Sequence, residues 1–241
     1  MIAVADVVVA PLTSIEARLL NVDWPWARDN RERIEAHWRA LTAANPALYK
    51  GSVLIRREQT LVHGRLSLGY VETDYASFIA FRDFDFPDPT SGNSFAMAAL
   101  RASDGAYMLG QMAGHTANAS KIYFPAGTPD PDDVLPDGTV DLAGSVSREL
   151  EEETGLRADD VAVTGRWDVV FAGGRTAMMR ELRVPMPAEA LRTRIRAFIA
   201  REKRPELADV RIVRGVEDID AEAMPVFMQG FLRFALARDQ R

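Results

Sequence analysis

Blocks of apolar and polar positions along the chain predict interleaved strands and helices. The first ten residues, Met1 to Ala10, are apolar except for Asp6 and predict a buried strand. Between residues 22 and 45, Trp24, Trp26, Ile34, Trp38 and Leu41 recur among charges, which predicts one amphipathic helix. It should end near Asn45-Pro46, where proline prevents continuation. Ser52 to Ile55 and Gln59 to Leu68 predict a strand pair, and Thr73 to Phe81 a short helix capped by Thr73. The stretch Asp83 to Asn93 is rich in Pro, Asp and Gly and marks the expected domain boundary.

A second pattern begins at Phe95. Phe95 to Arg101 and Ala106 to Met112 predict a hairpin turning at Ser103-Asp104-Gly105. Gly114 to Ser120 reads as a loop, Ile122 to Pro125 as a short strand, and Gly127 to Val140 as a long polar loop. Val161 to Val170 and Ala177 to Val184 predict strands around Gly173-Gly174-Arg175. Glu189 to Arg201 and Glu222 to Leu236 predict helices, with a strand at Val210 to Arg214. The class is therefore α/β or α+β, with an α/β extension over residues 1–93 and a second domain over 94–241.

Composition narrows the chemistry. A chain of 241 residues with 47% hydrophobic and 27% charged residues can bury a substantial core. A net charge of −6 argues against a nucleic-acid partner, so a phosphate ligand would need local cations or metal ions. The absence of cysteine excludes disulfides, zinc thiolates and thiol nucleophiles. No segment reaches the length of a membrane span and the N-terminus lacks a basic leader pattern, so the expected compartment is the cytoplasm.

The most informative segment is Arg148-Glu149-Leu150-Glu151-Glu152-Glu153-Thr154-Gly155-Leu156. Asp141 can cap the start of this helix, and Gly155 suits the left-handed position after its end. Leu142, Val146 and Leu150 supply its core stripe. Glu149, Glu152 and Glu153 then share a face at i, i+3 and i+4, where like charges destabilise a helix by roughly 0.2–0.5 kcal/mol per pair. A bare glutamate triplet is more often a solvated acidic face. The whole nine-residue string is another matter: its chance occurrence in a chain of this length is about one in 10⁵ at ordinary residue frequencies. Hard divalent cations such as Mg²⁺ favour such oxygen clusters.

These nine residues resemble the second half of the signature of the Nudix hydrolase family. Phe124-Pro125-Ala126-Gly127-Thr128-Pro129-Asp130 resembles the loop that opens it. The early acidic position falls on Asp133, with five residues between it and Gly127, or on Asp141 if residues 134–140 are an insertion. The resemblance covers about residues 94–240 and implies a mixed sheet sandwiched between helices. It also implies hydrolysis of a nucleoside diphosphate linked to another group, with Mg²⁺ or Mn²⁺. Glu152 and Glu153 would hold metal, Glu149 would be a further ligand or the base, the Ala126 carbonyl could join them, and Arg148 would orient a glutamate.

Residues 28–51 and 73–83 resemble UDP-sugar hydrolysing members of that family, which also lengthen the loop before the acidic helix. A small-molecule nucleotide sugar is the leading expectation, against a triphosphate-cleaning enzyme or a nucleotide-sugar sensor that does not cleave. Further substrate candidates are Gly127, Lys121, Arg82, Arg175, His115 and Glu202, the last at the place of a mobile catalytic glutamate in some relatives. For the arginines a free surface position is the commoner fate, and Tyr75, Phe78 and Phe81 are at helical spacing, more typical of core than of a base-stacking platform. A homodimer is compatible with the sequence, which does not set the oligomeric state.

Overall fold

The computed structural model describes residues 6–46, 48 and 50–239. Met1 to Ala5 of the expected first strand, and Ala47 and Tyr49 of the expected UDP-sugar resemblance, lie outside the described residues. In chain order the first half runs β1 (Val8–Leu12), β2 (Ser14–Leu19), α1 (Pro25–Asp29), α2 (Arg31–Ala44), β3 (Ser52–Val62), β4 (Arg65–Asp74), α3 (Tyr75–Asp83), β5 (Asn93–Arg101) and β6 (Tyr107–Met112). It continues with β7 (Ile122–Tyr123), α4 (Leu142–Thr154), β8 (Ala162–Ala172), β9 (Arg175–Arg183), α5 (Ala188–Ile199), β10 (Leu207–Val213) and α6 (Val226–Asp239).

Among the described residues, the larger sheet has the order β1-β8-β9-β5-β6-β10, with β7 on β6. It is mixed: β5 runs parallel to β9, and the other pairs are antiparallel. Alternation along β5 loads both faces. Ala96, Ala98 and Leu100 pack with Leu142, Val146 and Leu150 of α4 and Leu191 and Ile195 of α5. Phe95, Met97 and Ala99 pack with Phe227, Met228, Phe231 and Leu232 of α6. Each fully buried aliphatic or aromatic side chain contributes about 1.5–3 kcal/mol, so the helices are held on both faces and the chain has the expected α/β sandwich. A smaller sheet, β2-β4-β3, packs beside it under α2 and α3.

Several elements differ from the sequence expectation for local reasons. The first strand is a partly exposed sheet edge, because β1 pairs with β8 alone. It comes from the first 93 residues yet completes the larger sheet. The single helix expected over residues 22–45 is two, α1 and α2, broken at Asn30 (φ −113°, ψ 18°). The strand expected over Gln59 to Leu68 is broken at His63-Gly64, where both residues have positive φ, so its first half ends β3 and its second half opens β4. Asp74, not Thr73, caps α3, accepting from the Ser77 N–H at 2.8 Å.

The hairpin of β5 and β6 splays after the pair Arg101–Tyr107. Its opening is filled by β7, which pairs with β6 at Tyr123 and Ile122, and by Pro125, whose carbonyl accepts from the Ala98 N–H at 3.0 Å. That wedge carries Ala126 and Gly127 to the acidic helix.

Candidate active site

The acidic helix is positioned by residues other than its glutamates. Asp141 accepts from the Gly144 N–H at 2.8 Å, satisfying one of the free donors at the start of α4. Leu142, Val146 and Leu150 bury the inner stripe. Gly155 ends the helix at φ +70°, and a side chain there would also run into the Phe198 ring, so only glycine meets both demands.

The outer face gathers the candidate residues. Glu153 is 5% exposed, and its Oε1 accepts from the Ala126 N–H at 3.2 Å. Its Oε2 is buried with no hydrogen-bond partner. Glu149 accepts from Arg148 at 2.7 Å and abuts Gly127 so closely that a methyl group on that glycine would collide with its carboxyl. Glu152 is exposed and stands 3.8 Å from Arg148. Arg148 also donates to Asp133 at 3.0 Å.

Asp133 is buried in a single short turn. It accepts from the Ser145 hydroxyl at 3.1 Å and the Asp130 N–H at 3.2 Å as well as from Arg148. Of the two aspartates, it is therefore Asp133 that touches the signature arginine, while the Asp141 carboxyl turns to its own helix. Residues 134–140 form a small closed loop between them, pinned by the Val134–Val140 bridge and the Asp141 N–H to Asp133 carbonyl bond at 2.8 Å.

The electrostatics of this face are unbalanced. Burial, reinforced by neighbouring carboxyls and opposed by Arg148, pushes the Glu149 carboxyl up to about 7. Burial and then the Glu149 charge push Glu153 well above the ordinary carboxyl range, with the Ala126 N–H working the other way. Partial burial disfavours the Arg148 charge, but its bond to Asp133 and the charges of Glu149, Asp133 and Glu152 raise its affinity for a proton overall. The residue missed by sequence reasoning is Glu206, whose charge acts on both Glu149 and Glu153. Glu202 does not face this cluster: it lines a separate groove with Glu151, Arg157 and Phe198.

Among the described residues, no three His, Asp or Glu side chains converge closely enough to hold a metal ion by themselves. The donor chemistry nevertheless fits a hard divalent cation. A buried oxygen of Glu153 lacks any partner, and the half-buried Glu149 carboxyl beside it has Arg148 as its ion-pair partner.

Beside this cluster lies a cavity of about 410 Å³, a size suited to a small organic ligand. Ala126, Gly127 and Thr128 form part of its wall, with Phe95 and Met97 of β5, Tyr123 and Phe227. Helix α3 supplies Tyr75, Phe78 and Arg82. Phe78 is almost wholly buried and Phe81 is entirely so, hence both serve packing. Arg82 pairs with Asp83 at 3.0 Å, and Lys121 donates to the Glu222 carbonyl at 3.1 Å. Both still border the cavity, as does Arg175. His115 is not among the residues lining it.

A family model for the NUDIX domain matches residues 91–227, more than half of the chain. The chain is also similar to a Nudix hydrolase from M. smegmatis, RenU, with 17% identity, covering 62% of this chain and 86% of that one at a TM-score of 0.38. For the MutT protein from Methanosarcina mazei Go1 the identity is 17%, with 61% and 95% of the two chains covered and a TM-score of 0.37. For a Nudix hydrolase from Nitrosomonas europaea the values are 12%, 76% and 87%, with a TM-score of 0.36. No curated protein matches the chain.

Proposed function

The chain belongs to the Nudix family and is a Nudix hydrolase; from that premise we propose that it cleaves the diphosphate of a nucleoside diphosphate linked to a second moiety, in a divalent-metal-dependent reaction. The observation that carries this reading is the contact of the carboxyl cluster with the cavity through Ala126 and Gly127. Segment 94–241 is proposed as the hydrolase domain and 1–93 as an extension, one that lends β1 to the sheet and α3 to the cavity wall.

Glu149, Glu152, Glu153 and the Ala126 carbonyl are the proposed holders of Mg²⁺ or Mn²⁺. When bound, such an ion neutralises phosphate charge and makes water more acidic. The chain's own contribution is positioning. Arg148, clamped by Asp133, fixes the Glu149 carboxyl; Gly127 leaves room for it; the Ala126 N–H orients Glu153. Phosphoryl transfer depends mainly on such placement and on charge neutralisation. In the alternative in which Glu149 is the base and not a ligand, its carboxyl, raised to about 7 by burial, is suited to accept a proton from attacking water. The cavity of about 410 Å³ is large enough for part of a nucleotide, and an NDP-sugar is the proposed substrate class.

A panel of NDP-sugars, dinucleotides and nucleoside triphosphates, followed by phosphorus NMR, tests this. The expected products are a nucleoside monophosphate and a phosphorylated second fragment. Turnover should stop with EDTA and return with Mg²⁺ or Mn²⁺. Preferential release of inorganic pyrophosphate from triphosphates, or turnover that resists the chelator, contradicts the proposal.

A further inference from the structure

The cavity is elongated along β5, and its two ends differ in chemistry. Asn93, Phe95 and Met97 all line it. At about 3.3 Å of rise per residue, the step from Met97 to Asn93 covers roughly 13 Å. Pro125 bonds to Ala98, so Ala126, Gly127 and the carboxyl cluster stand at the Met97 end. Asn93 is the register partner of Arg175, so that arginine marks the other end.

At the far end Arg175 is largely withdrawn from water. Its guanidinium lies 4.6 Å over the Phe86 ring. Phe86 and Asp85 both take left-handed backbone conformations, at φ 55° and 61°, which ordinary side chains seldom adopt. Gly174 admits the ring, because any side chain there would collide with it. Local strain is thus maintained where it seats an arginine against the cavity.

That arginine has no carboxylate within ion-pair distance among the described residues. Burial disfavours its charge, and the repulsion of Arg82 comes ahead of the attraction of Asp85. Arg56 is half-buried against Gly92, the residue before Asn93, and its Nε is buried without a partner. Asn93 is 9% exposed, and its Oδ1 is buried without a hydrogen bond. A half-buried guanidinium without a carboxylate partner favours an anion beside it, and an unpaired buried amide oxygen a hydroxyl or N–H donor.

We propose that Arg175, supported by Arg82 and Asn93, reads the second moiety of the substrate, and that this moiety is hydroxylated and carries an anionic group, a carboxylate or a phosphate. The inference rests on the reading that the diphosphate lies at the carboxyl-cluster end. The separation of the two ends is what assigns the arginine to the second moiety and not to the diphosphate. Asp85 on the same wall can accept from a further hydroxyl.

Binding of non-cleavable α,β-methylene analogues to the full chain tests the proposal without relying on turnover. One matched pair is an NDP-hexose and the corresponding NDP-hexuronate; the other is a dinucleotide with and without a phosphate on its ribose. Calorimetry should show about tenfold or tighter binding of the anionic member of one pair, and the pair affected tells carboxylate from phosphate. Arg175→Gln should shrink that ratio to about threefold or less, and Arg175→Lys should keep more of it. No preference in either pair overturns the proposal, as does an Arg175→Gln protein in which both members weaken equally, since the arginine would then hold the diphosphate. Hydrolysis of the cleavable counterparts is scored separately. A preference without hydrolysis counts against the proposed activity and leaves this inference standing.

Discussion

Gly127 and Glu149 occupy mutually exclusive space: a methyl group on the glycine would overlap the Glu149 carboxyl. Glycine is needed here for close approach, since its φ is not in the left-handed region. Gly127→Ala should therefore displace a carboxyl that Arg148 holds at 2.7 Å. A shift of about 1 Å in a catalytic group can lower turnover on the order of 10²-fold. We expect a fall in kcat of that order with a melting temperature within a few degrees of wild type. A Gly127→Ala enzyme with normal kcat would remove Glu149 from the proposed machinery.

The two aspartates should separate by readout. Asp133 binds Arg148, the Ser145 hydroxyl and the Asp130 N–H, whereas Asp141 binds the Gly144 N–H at the start of its helix. Asp133→Ala leaves Arg148 half-paired and should lower both stability, by about 1–3 kcal/mol, and activity. Asp141→Asn preserves an N-cap and should change neither, while Asp141→Ala should lower stability by about 1 kcal/mol with kcat retained. Denaturant titrations together with kcat for the three variants provide the check; loss of activity in Asp141→Asn would reverse the assignment.

How much of this was legible in the sequence depended on whether the relationship was local. The cap at Asp141, the stripe Leu142-Val146-Leu150 and the C-terminal Gly155 are fixed within four turns of one helix, and the structure has them where the pattern put them. The strand expected over Gln59 to Leu68 misplaces the turn, because apolar positions continue on both sides of His63-Gly64. The seat of β1 on β8 joins residues about 160 apart in sequence, and no periodicity reports which distant segment covers an apolar face. The same applies to α3, whose aromatic spacing signalled a core but not that Arg82 and Tyr75 border the cavity. Glu206 was missed because its effect on Glu149 exists only once β10 is paired with β6.

Glu153 places stability and activity in opposition. Its carboxyl is buried, one oxygen is unpartnered, and burial raises its proton affinity well above the usual range. Glutamine keeps the shape and removes the charge that is costly to bury. In metal-free buffer Glu153→Gln should therefore melt no lower than wild type, while turnover in saturating Mg²⁺ falls at least about 10²-fold. Added Mg²⁺ should raise the wild-type melting temperature more than that of the variant, because a ligand that binds only the folded state stabilises it by mass action. Equal metal-induced shifts in the two proteins would place the ion elsewhere.

Glu206 and Glu202 lie four residues apart, yet only the first acts on the carboxyl cluster. Glu206 precedes β10, and its backbone carbonyl accepts from the Ala113 N–H at 2.8 Å, which ties it to the segment following β6. From there its charge raises the proton affinity of Glu149 and Glu153. An exposed carboxylate whose charge reaches the half-buried Glu149 and the buried Glu153 adds to the attraction for a divalent ion, so Glu206→Gln should weaken Mg²⁺ activation several-fold. Glu202 faces the groove lined by Arg157 and Phe198, where its neutralisation cannot change the field at the cluster to the same degree. Glu202→Gln should therefore give a metal-activation curve superimposable on that of the wild type. A larger shift in the Glu202 variant than in the Glu206 variant would mean that the segment before β10 rearranges when substrate binds, carrying the other carboxyl into the site.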